Sequence, residues 1–454
     1  MRIFCKTLLQ GDCWRNDAVM NLTLEGKISN IETGTPDVVD LSIQGIVIPG
    51  MPNAHSHSFQ RLIAGMTGPQ GNQSDSFWSW REAMYRCANQ ISPDQFRVVA
   101  SYVFSEMLKA GYTSCAEFHY LHHQQDGTPY ANPAEMSVQL IEAATITGLS
   151  MTLLPVLYCS SGFGQDTVSL DQRRFSNSSE SYLQLLEILH KIISQENLLT
   201  LGVAPHSLRA VPAKVLQEVL ASWSDNECPI HIHIAEQLAE VNDCIEHLGA
   251  RPLEWLLENF PVDERWNLVH ATQMSNSELK TAAQSGATAV ICPTTEADLG
   301  DGFFRTSEWL KAGGALAVGS DSNVRISVTE ELRLLEYNER MSSGHRNVLT
   351  DPDSTCGKFL YQHAAQSGAT ALGQAVGVLQ PGSRADFLVL DNKHELVSGR
   401  HPDVALDSWV FAGDKSMLDS VWVAGQCVVQ QGIHHAESSI KSAFSKTLSD
   451  LQII

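Results

Sequence analysis

Ile46-Val-Ile48-Pro49-Gly-Met-Pro-Asn-Ala-His55-Ser-His57 is the stretch of this 454-residue chain that decides how the rest is read. A short β-branched apolar run leads through turn residues into two histidines two positions apart. In an extended chain such residues face the same side, so both imidazoles can aim at one ion. Outward from it, short β-rich apolar runs alternate with longer helical patterns, and eight such runs can be counted. They end near Asn53-Ala-His55, Ser114-Cys-Ala-Glu117, Leu153-Leu-Pro-Val-Leu157, Leu201-Gly-Val-Ala204, Ile230-His-Ile-His233, Leu268-Val-His270, Ala289-Val-Ile-Cys292 and Ala317-Val-Gly-Ser-Asp321. Eight strand-helix units predict an α/β fold, a closed (β/α)8 TIM-like barrel over residues 49–375. Such a barrel places its active site at the carboxyl ends of its strands, where most of the chemically capable residues of this sequence fall.

The two ends of the chain read differently. Val19-Met-Asn-Leu-Thr-Leu24 followed by Glu25-Gly26 suggests a hairpin within residues 1–48. Ala385-Asp-Phe-Leu-Val-Leu-Asp391 and Val421-Trp-Val-Ala-Gly-Gln-Cys-Val-Val429, within residues 376–434, are again strand-like. Both ends together predict a small β-sandwich domain. In residues 435–454, Ile440, Phe444, Leu448 and Leu451 recur at helical spacing, as in an amphipathic helix packed on the body. Ser176-Asn-Ser-Ser-Glu-Ser181 reads as a loop before a helix.

Lys and Arg number 30 against 51 Asp and Glu, a net charge of −21 with His neutral. That field repels polyanions and excludes a general nucleic-acid binder. With 43% hydrophobic and 18% charged residues, the composition is that of a packed globular protein. No apolar run approaches the roughly 20 residues that cross a bilayer. Met1-Arg-Ile-Phe-Cys-Lys-Thr loses its apolar character too soon for a secretory signal, so a cytoplasmic protein is expected. Ten cysteines without a Cys-x-x-Cys pair fit reduced thiols in a large core. Any metal must then be sought among histidines and carboxylates.

Four clusters carry chemistry, and each has a plain structural alternative. His55 and His57 form a His-x-His pair, which also arises by chance. His231-Ile-His233-Ile-Ala-Glu236 ends the fifth run, where two histidines can be ordinary polar residues of a strand. His270 ends the sixth, where a lone His is often a hydrogen-bonded core residue. Asp321 ends the eighth, where an Asp can cap the following helix. Together the alternatives weaken, because runs one, five, six and eight of a barrel bring their ends to one mouth.

With these residues the sequence resembles the amidohydrolase superfamily of metal-dependent barrel hydrolases over nearly its whole length. That includes Gly377-Val-Leu-Gln-Pro-Gly-Ser-Arg-Ala-Asp-Phe-Leu-Val-Leu-Asp391, which looks like the superfamily's return to its β-sandwich. The resemblance to its mononuclear deaminase branch implies that His55, His57, His233 and Asp321 hold one zinc, with iron(II) or manganese(II) as substitutes. The bimetal branch has a bridging Lys or Glu after strand four; here Ala204-Pro-His206-Ser-Leu-Arg209 supplies none. Such an ion lowers the pKa of bound water from 15.7 toward about 7. Glu236 can then shuttle a proton from this water to a leaving nitrogen, with His270 and Asp321 orienting the nucleophile or stabilising developing charge.

Within the superfamily the chain is most similar to deiminases that convert the formimino group of N-formimidoyl-L-glutamate to formyl, releasing ammonia in histidine degradation. The residues that carry this are His55-Ser-His57-Ser-Phe-Gln60-Arg61, Phe77-Trp-Ser-Trp-Arg81, Glu117-Phe-His-Tyr120 and Ala204-Pro-His206-Ser-Leu-Arg209. The resemblance implies that Gln60, Arg81, Tyr120, His206 and Arg209 bind a dicarboxylate substrate, and that the enzyme is a homodimer. In a chain of charge −21, a dicarboxylate needs cations close by, and guanidinium pairs with carboxylate in bidentate fashion. Trp78 and Trp80 are expected to wall the pocket, and His119, His122 and His123 to serve packing or surface roles. Asn53, where many relatives carry Asp, is not evidence either way. Two other classes remain open: a nucleobase or nucleoside deaminase of the same superfamily, and a barrel that binds without catalysing.

Overall fold

The computed structural model describes residues 1–35, 38–66, 77–223 and 227–451, of which 77–79 are described as backbone only. Its α/β content divides into three sheets. Four-stranded and five-stranded parallel sheets lie in the middle of the sequence, and an eight-stranded sheet is built from both ends.

The first parallel sheet orders Met51–Ser56, Tyr112–His119, Ser150–Leu157 and Leu199–Leu201, with Ala204–Pro205 also pairing with Ser150–Leu157. The second orders Ile230–Ile234, Trp266–His270, Thr288–Ile291 and Ala315–Val318. Isolated parallel bridges, Val203 with Ile230 and Ser56 with Asp321, connect the two. All residues of Met51–Ser56, Tyr112–His119, Ile230–Ile234 and Trp266–His270 are buried, the pattern of strands covered on both faces. The fourth apolar run of the sequence is split rather than continuous. A Cβ at Gly202 would stand 2.5 Å from Leu154 Cδ2 and 2.9 Å from the Pro229 carbonyl, so glycine permits the close approach that interrupts it.

Helices follow most of these strands and are delimited by local chemistry. Helix Pro93–Ala110 starts with Ser92 and Gln95 in a reciprocal capping box and stops at Gly111, whose φ of 100° is open to glycine. Ser178, in the serine-rich stretch, caps helix Ser179–Ile193 in the same way.

In the eight-stranded sheet, Leu41–Pro49 pairs with Arg2–Gln10 on one side and with Phe387–Leu390 on the other, joining the two ends of the chain. Cys13–Leu22 and Ile28–Thr33 form the expected hairpin, turning through Gly26 at a φ of 75°. Helix Glu437–Leu451 buries Ile440, Thr447 and Leu451 and stacks Phe444 on Tyr102 at 3.9 Å. Leu448, expected on that face, is 43% exposed, because the helix turns Thr447 inward in its place. All ten cysteines are free. No helix among the described residues is long and apolar enough to cross a membrane.

Candidate active site

The carboxyl ends of the parallel strands carry backbone that most residues avoid. Ala235, His270, Ala271, Asp321 and Asn323 all have φ between 44° and 68°. Strain of this kind in non-glycine residues persists where the surroundings over-determine it, and it gathers at functional sites. Gly319 lets the Asp321 segment close on its neighbour, since a Cβ there would lie 2.8 Å from the Cβ, N and O of His55. The Asp321 N–H donates to the His55 carbonyl and the His57 N–H to the Asp321 carbonyl, each at 2.9 Å.

These constraints bring His55, His57, His233 and Asp321 together, their ligand atoms all within 4.8 Å of one another. His55 Nε2 is 3.1 Å from His57 Nε2 and 3.0 Å from His233 Nε2. Asp321 Oδ1 lies 3.5 Å from His55 Nε2 and 3.3 Å from His57 Nε2. Ligands about 2.0–2.1 Å from a tetrahedral ion stand roughly 3.3 Å apart, so the donor set fits a divalent metal. The far sides of two rings are fixed to match. His57 Nδ1 donates to the Phe118 carbonyl at 2.6 Å and His233 Nδ1 to the His206 carbonyl at 3.1 Å, leaving Nε2 lone pairs for ligation. Burial pushes the pKa of His55 down to about 3, and those of His57 and His233 also fall by burial. All three are therefore neutral, as metal binding requires. His231, on the same face as His233, donates instead to the Ala371 carbonyl at 2.8 Å and is a satisfied core histidine.

Glu236 and His270 stand beside this cluster. His270 Nε2 is 3.8 Å from both Glu236 Oε1 and Asp321 Oδ2. Burial opposes a charge on His270, but Glu236, Glu296 and Asp321 outweigh it and raise its pKa to about 10.

A pocket reaches the cluster and is lined by His57, Gln60, Arg81, Tyr120, His206, Arg209, His233, Glu236, His270 and Asp321. Every site residue named from the sequence therefore borders one cavity except His55, which is fully buried beneath it. Gln60 Nε2 donates to Tyr120 Oη at 2.9 Å, while Gln60 Oε1 has no partner among the described residues. Burial opposes the charge of Arg209, but Glu240 and Glu236 hold its pKa up. Trp80 walls the pocket as expected; Trp78 lies outside the described side chains. His119, His122 and His123 bond Ser137 Oγ, the Val156 carbonyl and the Ser176 carbonyl.

The structure adds residues that sequence reasoning missed. Asn53 Nδ2 donates to Ser320 Oγ at 2.7 Å, Ser320 Oγ to Asn323 Oδ1 at 2.7 Å, and Asn323 Nδ2 to Ser56 Oγ at 3.1 Å. Ser56 Oγ and the Ser58 N–H both donate to Glu117 at 2.7 Å. This buried chain ties the strand end holding His55 and His57 to the one holding Asp321. Glu296, four residues after the seventh run, could have been found by asking for a carboxylate at that strand end. Tyr85, Tyr158 and Phe175 complete the pocket wall.

The chain belongs to the amidohydrolase family, whose model matches residues 46–428. It is 46% identical over 450 residues to the formimidoylglutamate deiminase of Pseudomonas aeruginosa, an alignment covering 99% of each chain. It is 26% identical over 349 residues to a 5-methylthioadenosine/S-adenosylhomocysteine deaminase of Halobacterium salinarum, covering 76% of this chain and 73% of the other. The crystal structure of an amidohydrolase from Brucella melitensis matches with a TM-score of 0.94 at 43% identity, covering 99% of each chain.

Proposed function

We propose that this protein is a zinc-dependent deiminase that hydrolyses N-formimidoyl-L-glutamate to N-formyl-L-glutamate and ammonia. One observation carries the reading: a single pocket is lined by His57, His233 and Asp321 beside Glu236 and His270, and also by Arg81 and Arg209. The first group suits attack on an amidine, the second the holding of two carboxylates. The relative with 46% identity, named for that activity, supports it.

Bound by His55, His57, His233 and Asp321, a divalent ion supplies Lewis acidity that lowers the pKa of water from 15.7 toward about 7. Zinc suits three imidazoles and a carboxylate; iron(II) and manganese(II) fit the same donors. Glu236 takes the proton of the attacking water and delivers it to the leaving nitrogen. The C–N bond to that nitrogen breaks as the carbonyl forms, so R–NH–CH=NH2⁺ and water give R–NH–CHO and NH4⁺. His270 orients the attacking oxygen and offsets charge that develops on it. Arg81, Arg209, His206 and Tyr120 hold the carboxylates. Gln60, its amide nitrogen committed to Tyr120, presents Oε1 to a substrate N–H.

In the same reading the parallel strands close into one eight-stranded barrel over 49–375, supported by the two bridges that connect the sheets. Residues 1–48 and 376–434 form the sandwich domain, and 435–454 the tail. The protein works in the cytoplasm, in histidine degradation, as a homodimer; ten free thiols suit a reducing compartment.

The nucleoside-deaminase reading is favoured by the 26% relative. The aromatic walls of this pocket would also suit a purine, but its two guanidiniums suit a dicarboxylate. Ammonia release from formimidoyl-L-glutamate, formimidoyl-L-aspartate, formimidoylglycine, guanine and adenosine, with metal content measured in parallel, separates the two. Rapid turnover of a purine and none of the formimino acids overturns the proposal.

A further inference from the structure

The turn Ser169–Phe175 carries a buried amide whose orientation is forced. Gln172 Oε1 accepts the Ser169 backbone N–H at 3.1 Å, a group that can only donate. The Gln172 Nε2 protons must therefore face the other way, and they reach Tyr85 Oη and Tyr158 Oη, each at 2.8 Å. Both phenol oxygens accept from Gln172, so both phenol protons point elsewhere.

Tyr85 and Tyr158 both line the pocket, and Arg81, one helical turn before Tyr85, places its guanidinium 5.6 Å from the Tyr85 ring centre. Ring contacts run outward from the metal-site histidines. His233 and His206 are 5.0 Å apart, and His206 and Tyr158 are 4.8 Å apart, with Tyr85 beyond across Gln172. The turn is bolted to helix Phe77–Ala88. The Arg174 guanidinium donates to the Ala88 carbonyl and, at 2.9 Å, to the Ile91 carbonyl, and Asn89 Nδ2 donates to the Asp171 carbonyl at 2.9 Å.

We propose that Tyr85 and Tyr158, set by Gln172, form a phenol clamp that donates to the substrate carboxylate farthest from the reacting nitrogen and so gauges the length of the acid. This rests on the deiminase reading. The amidine must meet Glu236 and His270, and in formimidoyl-L-glutamate the side-chain carboxylate lies three carbons beyond the α-carbon, which bears the nitrogen that is retained. Tyr158 stands beyond His206 from the metal-site His233, and Tyr85 lines the same pocket, so the clamp is set away from the reacting end. Gln172 is a positioning residue; the Tyr85 hydroxyl touches substrate.

The test uses zinc-loaded wild type, Tyr85→Phe and Gln172→Leu. A hydrogen bond to a charged group sets the scale, so kcat/KM for N-formimidoyl-L-glutamate should fall roughly 10- to 100-fold in each variant, more through KM than through kcat. For N-formimidoylglycine, which lacks the distal carboxylate, the fall should stay under about threefold. Glutarate binding by calorimetry, which needs no turnover, should weaken in parallel. Equal losses on both substrates, or wild-type glutarate affinity in Tyr85→Phe, overturn the clamp. Tyr85→Phe keeps the ring, so its packing survives if Gln172→Leu fails to fold. Weakened glutarate binding without formimino hydrolysis by wild type sinks the deiminase reading and leaves a dicarboxylate clamp standing. Normal wild-type hydrolysis with an indifferent Tyr85→Phe sinks the clamp alone.

Discussion

His270 Nδ1 lies 3.2 Å from Glu296 Oε1, and the same carboxylate oxygen accepts the Cys292 backbone N–H at 2.8 Å. The ring is thus pinned with Nε2 turned toward Glu236 and Asp321. A carboxylate behind a histidine fixes its tautomer and stabilises its charged form. Glu296→Gln keeps the shape and one acceptor but removes the charge. It is expected to lower kcat roughly 10- to 100-fold while metal content stays at the wild-type level. Steady-state kinetics with elemental analysis checks this, and Glu296→Asp should recover part of the loss.

Glu236 tests the proton shuttle. It is no member of the cluster that could hold the metal, yet it reaches within 3.8 Å of His270. Glu236→Gln should reduce kcat by roughly 10²- to 10⁴-fold and leave the metal bound. A variant with unimpaired kcat would eliminate the shuttle.

Much of this site was legible because strands with ligands at their ends write those ligands next to apolar runs. His55, His57, His233, His270 and Asp321 each end such a run, and pairing across the sheets does the rest. Tyr158 and Glu296 also stood just past run ends, but a Tyr or Glu in such a place has many ordinary uses and draws no notice. Gln172 gives no signal at all, since its partners Tyr85 and Tyr158 are 87 and 14 residues away. Nor does Asn53, whose partner Ser320 is 267 residues away. The break at Gly202 depends on Leu154 and Pro229, which only the folded chain brings near. Thr447 displaces Leu448 from the buried stripe because periodicity sets a helix face only to within about one position.

Arg209 separates recognition from chemistry. It lines the pocket with Arg81 and is held charged by Glu240 and Glu236 against burial. Arg209→Ala should cost about 2–5 kcal/mol in kcat/KM for formimidoyl-L-glutamate, the scale for breaking a buried charge pair. The metal content should not change. If dicarboxylate and uncharged formimidoyl substrates lose activity equally, Arg209 does not bind a carboxylate.

Removal of the metal should act on stability as well as turnover. The three imidazoles are neutral and converge with Asp321, so a ligand of the folded state alone stabilises it by mass action, about 2.7 kcal/mol at a hundredfold excess over Kd. Dialysis against a chelator should abolish ammonia release and lower Tm, and added zinc should restore both. His233→Ala should make Tm insensitive to zinc.

Lys109 on helix Pro93–Ala110 couples the tail to the body. Its ammonium bonds Glu106 and, at 2.9 Å, Glu437 Oε1 at the start of helix Glu437–Leu451. Hydrogen bonds from Lys441 and then Lys109 hold the Glu437 carboxyl down at about 2, against an ordinary 4.5. Burial opposes the charge of Glu106, but Lys109 outweighs it and lowers that pKa too. An acid whose pKa is depressed by folding lends stability above its unfolded pKa and loses it as pH falls through the folded value. Docking of the tail should therefore hold at pH 5 and above and loosen between about 4.5 and 2. Because the site histidines also lose metal in acid, the readout must be local. Amide exchange in Glu437–Leu451 should accelerate across that window relative to helix Cys356–Leu372. Lys109→Met, which leaves two carboxylates facing an uncharged group, should raise exchange in the tail already at pH 7. Equal protection of the two helices down to pH 2 would show that apolar contacts such as Phe444 on Tyr102 hold the tail without help from charge.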